Sequence, residues 1–323
     1  MGDMRFGSIG DGGLMVSVVG LGCNAFGSRI DADQTRAVVD AAIENGITFF
    51  DTADAYGDGA SEELLGRALG KRRSDVVVAT KFGMGNHDSE HWGAHGSRRY
   101  VRRAVEASLR RLGTDYIDLY QLHRPDPITP IEETLQAMSE LVAEGKVLYL
   151  GSSNMSAWQV TDADWVARSG GLQRFVSAQN EYSIYNRVAE AELVPACESA
   201  GVGVLPYFPL AYGLLTGKYH RGQAAPEGSR LALPNQVSRL AGVNWDRVEA
   251  LEAYAAERSV SLLALAIGGL IAQPAVASVI SGATRPEQVA ANVQAALWEP
   301  SAADLAGLDE LRESPTFSYT TFA

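Results

Sequence analysis

Short apolar segments alternate with longer amphipathic stretches along almost the whole chain. Each apolar segment is rich in β-branched or aromatic residues and is bounded by turn-forming residues, which is typical of a strand buried on both faces. Eight such segments are present, at residues 18–22, 47–50, 76–80, 116–122, 147–151, 174–179, 203–207 and 277–280. The pattern therefore predicts eight buried strands.

The stretches between these segments carry the spacing of helices. After Ser97, apolar residues recur on one helical face, at Val101, Val105, Leu109 and Leu112. The arginines of the same stretch fall elsewhere and are predicted to form a solvated face, at positions 98, 99, 102, 103, 110 and 111. For a second helix, Thr129 is predicted as the N-cap, Pro130 as the first helical residue and Glu132 as the capping-box glutamate.

The order of these elements predicts the fold. Strand–helix–strand units of this size require right-handed parallel crossovers, and eight in succession favour a closed barrel over an open sheet. We therefore expect an α/β protein, a single (β/α)8 TIM barrel over residues 1–323. Residues 1–17 contain two glycine-rich turns and are predicted to form a β-hairpin that closes the barrel floor. Residues 211–243 form a long insertion after strand seven, and long loops in compact domains are often functional.

Composition narrows the classes of function open to such a barrel. Hydrophobic residues make up 46% of the 323 positions and charged residues 20%, which is ordinary for a folded protein. A net charge of -12 disfavours nucleic acid and anionic membranes as partners. The two cysteines, Cys23 and Cys197, are too few for a disulfide framework, and the longest apolar run (262–272) is too short to span a bilayer. No signal-peptide pattern opens the sequence, so a cytoplasmic protein is expected.

Polar side chains are concentrated where the predicted strands end. In barrels of this type, catalytic residues come from the C-terminal ends of the strands and from the loops that follow them. Those positions hold Asp51, Tyr56, Lys81, His123, Ser152, Ser153, Asn154, Gln179 and Tyr207. Each of them alone has an ordinary structural explanation. Burying an acid, a lysine, a tyrosine and a histidine together, however, costs free energy of folding, which is expected only where these residues serve a function. Their convergence predicts an active site at one mouth of the barrel.

Five segments, in order and covering most of the chain, resemble the motifs of the aldo-keto reductases. They are FFDTADAYG (49–57), ATKFG (79–83), YIDLYQLHRPD (116–126), GKVLYLGSSN (145–154) and YFPLAYGLLTGKY (207–219). The resemblance implies a catalytic tetrad formed by Asp51, Tyr56, Lys81 and His123. It also implies that Tyr207 stacks on a nicotinamide ring and that the carboxamide of that ring is held by Ser153, Asn154 and Gln179.

The chemistry of carbonyl reduction suits this tetrad. A carbonyl that accepts hydride develops negative charge on oxygen and needs a proton, but a tyrosine with a pKa of about 10 is a poor donor at neutral pH. Lys81 is expected to lower the pKa of Tyr56, and Asp51 to keep that lysine charged. His123 is expected to hydrogen-bond the carbonyl oxygen. The sequence thus predicts reduction of aldehydes or ketones to alcohols, with Tyr56 as the general acid.

The resemblance also indicates how a dinucleotide would bind. GLGCNAF (20–26) is no Rossmann fingerprint, because phenylalanine stands where the third glycine belongs. The adenosine phosphate is instead expected at residues 281–294, where Pro286 opens a helix whose N-terminus favours an anion. Many relatives have a lysine where Gly282 stands, which leaves Arg285 as the nearby cation and makes NADPH the predicted cofactor, with NADH as the alternative. The other predicted cofactor contacts are Pro209, Leu210, Gly213, Leu215, Gly217, Lys218, Gly282, Ala283, Thr284, Gln288 and Asn292. Residues 211–243 are expected to cover the cofactor.

Other functions stay open at this point. HDSEHWGAH (87–95) spaces three histidines four apart, which on a helix would indicate a metal-dependent hydrolase, but Gly93 argues against a helix and no metal is predicted. Some aldo-keto reductases act as regulatory subunits of membrane channels with little turnover, and the sequence does not exclude that role. Asn24 and Trp92 are predicted to line the pocket of a small carbonyl substrate, with residues 299–323 near the active site.

Overall fold

Eight parallel strands form one sheet whose order follows the chain, as the pattern of apolar segments predicted. In the computed structural model, which describes residues 4–84 and 93–311, the barrel strands are β3 (Val19–Gly22), β4 (Phe49–Asp51), β5 (Val77–Phe82), β6 (Ile117–Leu122), β7 (Val147–Ser153), β8 (Phe175–Glu181), β9 (Gly203–Tyr207) and β10 (Val279–Gly282). β10 pairs with β3, and on its other side Val204 exchanges hydrogen bonds with Ala275 and Ala277. These contacts bring the sheet edges together, and the fold is the predicted (β/α)8 TIM barrel.

Helices surround this barrel and connect its strands. They are α1 (Ala32–Glu44), α2 (Ala60–Leu69), α3 (Arg98–Leu112), α4 (Ile131–Ala143), α5 (Ala157–Gly170), α6 (Leu193–Ala200), α7 (Trp245–Glu257), α8 (Leu262–Ile271), α9 (Pro286–Ala295) and α10 (Ala302–Glu310). Short 3₁₀ segments lie at Gly70–Asp75, Val188–Glu190, Ala211–Thr216, Arg230–Ala232 and Val237–Gly242. In the described residues no single helix is long and apolar enough to cross a membrane, and α7 with α8 meets that test only as a pair bent by 89°.

α3 forms as its sequence predicted, with one exception on its polar face. The Ser97 hydroxyl accepts a hydrogen bond from the Tyr100 N–H, and the predicted apolar face is buried. Most of its arginines are exposed or pair with carboxylates that are at least partly exposed, but Arg111 does not follow this pattern. Its Nε donates at 2.6 Å to Glu62, which is fully buried on α2 and also accepts from the Thr80 hydroxyl. The prediction of a solvated face is therefore wrong for Arg111.

The start of α4 differs from the prediction by one residue. Pro130 is the N-cap rather than the first helical residue, and no side chain caps the helix there. The Thr129 hydroxyl donates instead to Asp126 Oδ2 at 2.6 Å. The prediction of Thr129 as N-cap is therefore wrong, because the helix begins one residue later and Pro130 occupies the N-cap position.

The N-terminal hairpin closes the end of the barrel opposite the strand C-termini. β1 (Phe6–Ser8) and β2 (Met15–Ser17) pair antiparallel, and Ile9, Leu14 and Val16 are buried against the barrel interior. Gly10 lies at φ +60°, and a Cβ there would overlap the carbonyl oxygen of Gly201. Glycine at this position therefore lets the hairpin turn lie directly on the loop that precedes β9.

The long segment after β9 begins with a strained turn. Phe208, Ala211 and Tyr212 have φ of +52°, +44° and +60°, values that side-chain-bearing residues rarely adopt. The turn brings the rings of Phe208 and Tyr212 to 4.3 Å. Arg230 lies over both rings, and Arg239 lies over Tyr212. Stacking of cations on aromatic rings thus holds the distal part of the segment against its first turn.

Candidate active site

The predicted polar residues meet at one end of the barrel because each follows or ends a parallel strand. Asp51 ends β4, Lys81 lies on β5, His123 follows β6, and Ser153 ends β7. They surround or underlie a cavity of about 1490 Å³, which we call the mouth cavity. Ligand pockets typically enclose about 300–1,000 Å³, so this volume suits a large ligand and a small one together.

Lys81, which is fully buried, links the buried Asp51 to the partly exposed Tyr56. Its ammonium donates at 2.8 Å to Asp51 Oδ2, at 2.7 Å to the Thr52 carbonyl oxygen and at 3.3 Å to the Tyr56 hydroxyl. An ammonium has three donors, so these three bonds satisfy it completely and fix its direction. Burial acts to lower the pKa of Lys81, but the charge of Asp51 and the contact with Tyr56 raise it above its ordinary value. Lys81 is therefore charged at neutral pH.

Asp51 is held from its other side by two glutamines inside the barrel. Its Oδ1 accepts from Gln179 Nε2 at 2.8 Å and from Gln121 Nε2 at 3.4 Å. Gln121 is in turn fixed by the Ser177 hydroxyl, which donates to its Oε1 at 3.4 Å. Hydrogen bonds of this kind stabilise the ionised carboxylate in a buried setting. Gln121 was not among the predicted site residues, although it belongs to this network.

The pKa of Tyr56 moves in the direction opposite to the prediction. Burial raises it above its ordinary value, and the charge of Lys81, which acts to lower it, does not compensate. The sign expected for the lysine was right, but the net direction was wrong, because burial of the phenol is the larger effect. Tyr56 is consequently protonated at neutral pH, which is the state a proton donor requires.

His123 is neutral and faces Tyr56 edge-on. The two ring centroids are 5.9 Å apart with an interplanar angle of 81°. Burial, and then the charges of Lys81 and Arg124, lower the pKa of His123 to about 3. Its Nδ1 has no hydrogen-bond partner among the described residues. A neutral imidazole beside the phenol can donate one hydrogen bond to a small acceptor in the mouth cavity.

Three residues predicted to hold a carboxamide form a connected group. Asn154 Nδ2 donates to the His123 carbonyl oxygen at 2.9 Å and to Ser153 Oγ at 3.0 Å. Asn154 Oδ1 accepts from the Tyr207 hydroxyl at 2.7 Å, and Ser153 Oγ donates to the Gln179 carbonyl oxygen at 2.8 Å. The amide nitrogen of Gln179 donates a hydrogen bond to Asp51, and its Oε1 remains available to accept one from a ligand. The same side chains connect the tetrad to Tyr207.

A second set of predicted residues lies at the helix that follows β10. α9 begins with Pro286, as predicted, and Arg285 is its N-cap residue. Gln288 Oε1 accepts from the N–H and the hydroxyl of Thr284, at 2.8 and 3.1 Å. Asn292 is buried one turn further along and also lines the mouth cavity. The helix N-terminus and these side chains can together accommodate an anionic group.

Most predicted site residues line the mouth cavity. They are Asn24, Asp51, Tyr56, His123, Ser153, Asn154, Gln179, Tyr207, Pro209, Leu210, Gly213, Lys218, Gly282, Ala283, Thr284, Arg285, Gln288 and Asn292. Lys81 lies behind Tyr56, the Leu215 side chain is buried in the core, and Gly217 does not line the cavity. None of residues 299–311 lines it either. Trp92 and residues 312–323 lie outside the described residues.

Sequence reasoning missed three arginines that line the mouth cavity. Arg29 follows β3, Arg124 follows β6, and Arg230 lies in the segment after β9. Each is in a loop after the C-terminal end of a strand, and that position was the only signal by which it could have been found. Burial, and then the charge of Arg29, lower the pKa of Arg230, which indicates that these two guanidinium groups are near each other.

Of the three histidines in the segment 87–95, the structure describes His95, whose contacts are with a backbone carbonyl and an aromatic ring. His95 Nδ1 lies 2.8 Å from the Gly83 carbonyl oxygen, and its ring is 4.9 Å from Tyr100. No group of three or more metal-ligating side chains occurs within residues 4–84 and 93–311. His87 and His91 lie outside the described residues.

Comparison with known proteins gives a consistent match over almost the full length. The model of the aldo/keto reductase family matches residues 18–313. A probable voltage-gated potassium channel subunit beta from Oryza sativa subsp. japonica is 38% identical over 90% of this chain and 91% of its own. Probable aldo-keto reductase 1 from Glycine max is 34% identical over 92% of this chain and 86% of its own. Versiconal hemiacetal acetate reductase from Aspergillus parasiticus is 33% identical over 91% of this chain and 94% of its own.

Proposed function

The chain belongs to the aldo/keto reductase family, and from this premise we propose that it is an NADPH-dependent reductase of aldehydes or ketones. The family and its reductase-named members make the protein an oxidoreductase. The observation that carries the finer proposal is the contact of Lys81 Nζ with the Tyr56 hydroxyl at 3.3 Å, beside Asp51 and at the base of the mouth cavity.

Each residue of the tetrad then has a distinct task. NADPH, when bound, supplies the hydride that reduces the carbonyl carbon. His123, which is neutral, donates a hydrogen bond to the carbonyl oxygen and orients it. Tyr56 gives that oxygen its proton, since an alkoxide is a stronger base than a phenolate. Lys81, held charged by Asp51, stabilises the phenolate that remains.

The charges around the mouth cavity support a polyanionic cofactor. Its lining includes the cations Arg29, Arg124, Lys218, Arg230 and Arg285, and none of these forms an ion pair within the described residues. In the part of the chain that the structure describes, the lining carboxylates are Asp51, which Lys81 neutralises, and Glu227. A cavity with this excess of unpaired cations, in a chain of net charge -12, favours a ligand that carries several phosphates.

A second candidate function rests on the names of relatives. Three of the relatives, from rice, Arabidopsis thaliana and Schizosaccharomyces pombe, are named as potassium channel beta subunits, at 36–38% identity. A channel subunit with the same site would bind the cofactor yet oxidise it slowly when offered a free aldehyde. The two functions therefore differ in turnover and not in cofactor binding.

The decisive experiment measures oxidation of NADPH with a panel of small aldehydes, ketones and quinones. We expect sustained multiple turnover with at least one carbonyl compound, and binding of NADPH that can be followed separately by the fluorescence of the bound dinucleotide. Tight NADPH binding with no more than one turnover on the whole panel would favour the channel-subunit role and contradict the reductase proposal. Absence of binding would contradict both.

The preference for NADPH is tested at Arg285. This exposed arginine at the N-terminus of α9 is proposed to bind the 2′-phosphate, a group that NADH lacks. Arg285→Ala is expected to weaken NADPH binding by about 10- to 100-fold, in line with loss of a charged hydrogen bond. NADH serves as the matched control, and its affinity for the variant should change far less. Equal losses of affinity for both dinucleotides, measured by fluorescence titration, would mean that Arg285 binds another part of the cofactor.

A further inference from the structure

The unpaired cations of the mouth cavity do not all lie in the same part of it. Arg29 and Arg230 are near each other, Lys218 and Arg230 belong to one segment, and Arg285 begins α9. Arg124 comes from another strand, because it directly follows His123 after β6. Both residues line the mouth cavity, and the charge of Arg124 acts on the histidine that faces Tyr56. Arg124 therefore belongs to the catalytic end of the cavity.

Among the described residues, no carboxylate serves as a counterion for Arg124. Lys81 is fully buried and neutralised by Asp51, and His123 is neutral. Arg124 forms no ion pair with any described residue, and its charge is felt by His123, whose pKa it helps to lower. Exposed arginines elsewhere in this acidic chain commonly have carboxylate partners, as Arg67 and Arg168 do. The cations that line the mouth cavity, Arg124 among them, have no such partner among the described residues.

We propose that Arg124 binds an anionic group of the substrate, so that the preferred substrates are short aldehydes or ketones that also carry a carboxylate. This inference rests on the proposed reductase function and specifies its substrate class. The carbonyl oxygen lies between Tyr56 and His123, and the carboxylate reaches Arg124 at the rim. A guanidinium suits this task because it can bind both carboxylate oxygens at once. Asn24 and Met84 also line the mouth cavity.

The test compares two aldehydes that differ in charge at the end remote from the carbonyl, 4-oxobutanoate and its methyl ester. We expect kcat/KM of the parent protein to favour the anion, and this preference to shrink in about 0.5 M salt because the rim is exposed to solvent. In Arg124→Gln the ratio of the two kcat/KM values should fall by about 10-fold, the lower range for a charged hydrogen bond at an exposed residue. Arg124→Lys should keep part of the preference, because it keeps the charge.

A matched control separates local recognition from a change of net charge. Arg110 is an exposed arginine on α3 that does not line the mouth cavity. Arg110→Gln should leave the ratio of the two kcat/KM values at the parent value. A ratio that is the same in the parent and in Arg124→Gln, or that falls equally in both glutamine variants, would overturn the proposal.

Binding without turnover distinguishes failure of this inference from failure of the proposed function. 4-Hydroxybutanoate, the product expected from 4-oxobutanoate, is titrated by calorimetry into the protein loaded with NADP⁺. Binding that is about 10-fold weaker in Arg124→Gln supports the carboxylate site even if no aldehyde is reduced. Equal binding to both proteins, or none to the parent, overturns the carboxylate site, whereas turnover of the neutral ester alone leaves the reductase function standing.

Discussion

Replacement of Tyr56 by phenylalanine should slow hydride transfer from bound NADPH by at least about 10²-fold, the lower limit usual for general-acid catalysis. The substitution removes the hydroxyl that lies 3.3 Å from Lys81 Nζ and keeps the ring that faces His123. Without that hydroxyl the developing alkoxide loses both its proton source and a hydrogen-bond donor. The affinity for NADPH should stay close to that of the parent, because the ring and its volume are retained.

The measurement is single-turnover oxidation of bound NADPH, which isolates the chemical step from product release. Tyr120→Phe is a matched control: it also removes one buried phenol, which has no hydrogen-bond partner among the described residues and does not line the mouth cavity. Its rate should remain near the parent rate. Retention of more than about a tenth of the parent rate by Tyr56→Phe would exclude Tyr56 as the proton donor, since general-acid catalysis usually contributes more than that.

The barrel and the position of the tetrad could be predicted from the sequence because both depend on local pattern. Strands buried on two faces appear as short apolar runs, and parallel order then brings their carboxyl ends to one mouth. Asp51, Lys81 and His123 occupy such ends, so their convergence follows once the strands are placed. The resemblance to a known family added roles to these positions, and it identified Tyr56 as the donor.

The direction of the Tyr56 pKa could not be predicted in the same way. It depends on a comparison between burial of the phenol and the charge of Lys81, and the extent of burial is known only from the packed structure. The partners of Asp51 are a similar case. Gln121 looks like any residue of a buried strand, and only the closed barrel brings its amide to 3.4 Å from the carboxylate.

Single charged residues were the least predictable part of the site. The chain has 27 lysines and arginines, and nothing in their spacing distinguishes Arg124 or Arg230 from those on helix surfaces. Arg111 was mispredicted in the opposite sense: it was expected to face solvent on a polar helix face, but it pairs with the buried Glu62. Whether a charge faces water, a carboxylate or a cavity depends on contacts distant in sequence, such as that of Arg111 with Glu62, which lies 49 positions earlier.

Substitution of Lys81 by methionine should affect stability and rate together. Asp51 would keep its two glutamine partners but lose the cation at 2.8 Å, and a buried carboxylate left without its counterion costs about 3–5 kcal/mol. Asp51→Asn in the same background removes the uncompensated charge and should recover most of the lost free energy of unfolding, measured by denaturant titration. It should not recover hydride transfer, which we expect to be at least about 10²-fold below the parent in both variants. Recovery of the rate along with the stability would mean that Lys81 serves only the fold.

Combining Lys81→Met with Tyr56→Phe separates the contribution of Lys81 to the chemical step from its contribution to the stability of the fold. If the lysine acts by stabilising the phenolate of Tyr56, its charge can no longer accelerate the reaction in Tyr56→Phe, because phenylalanine forms no phenolate. Adding Lys81→Met to the Tyr56→Phe protein should then reduce the single-turnover rate by much less than it does in the parent. The parent, the two single variants and the double variant are compared at a temperature at which each of them remains folded, so that differences in stability do not enter. Rate losses that multiply would show that Lys81 and Tyr56 act on the reaction independently, and the proton-donor mechanism proposed for this pair would be wrong.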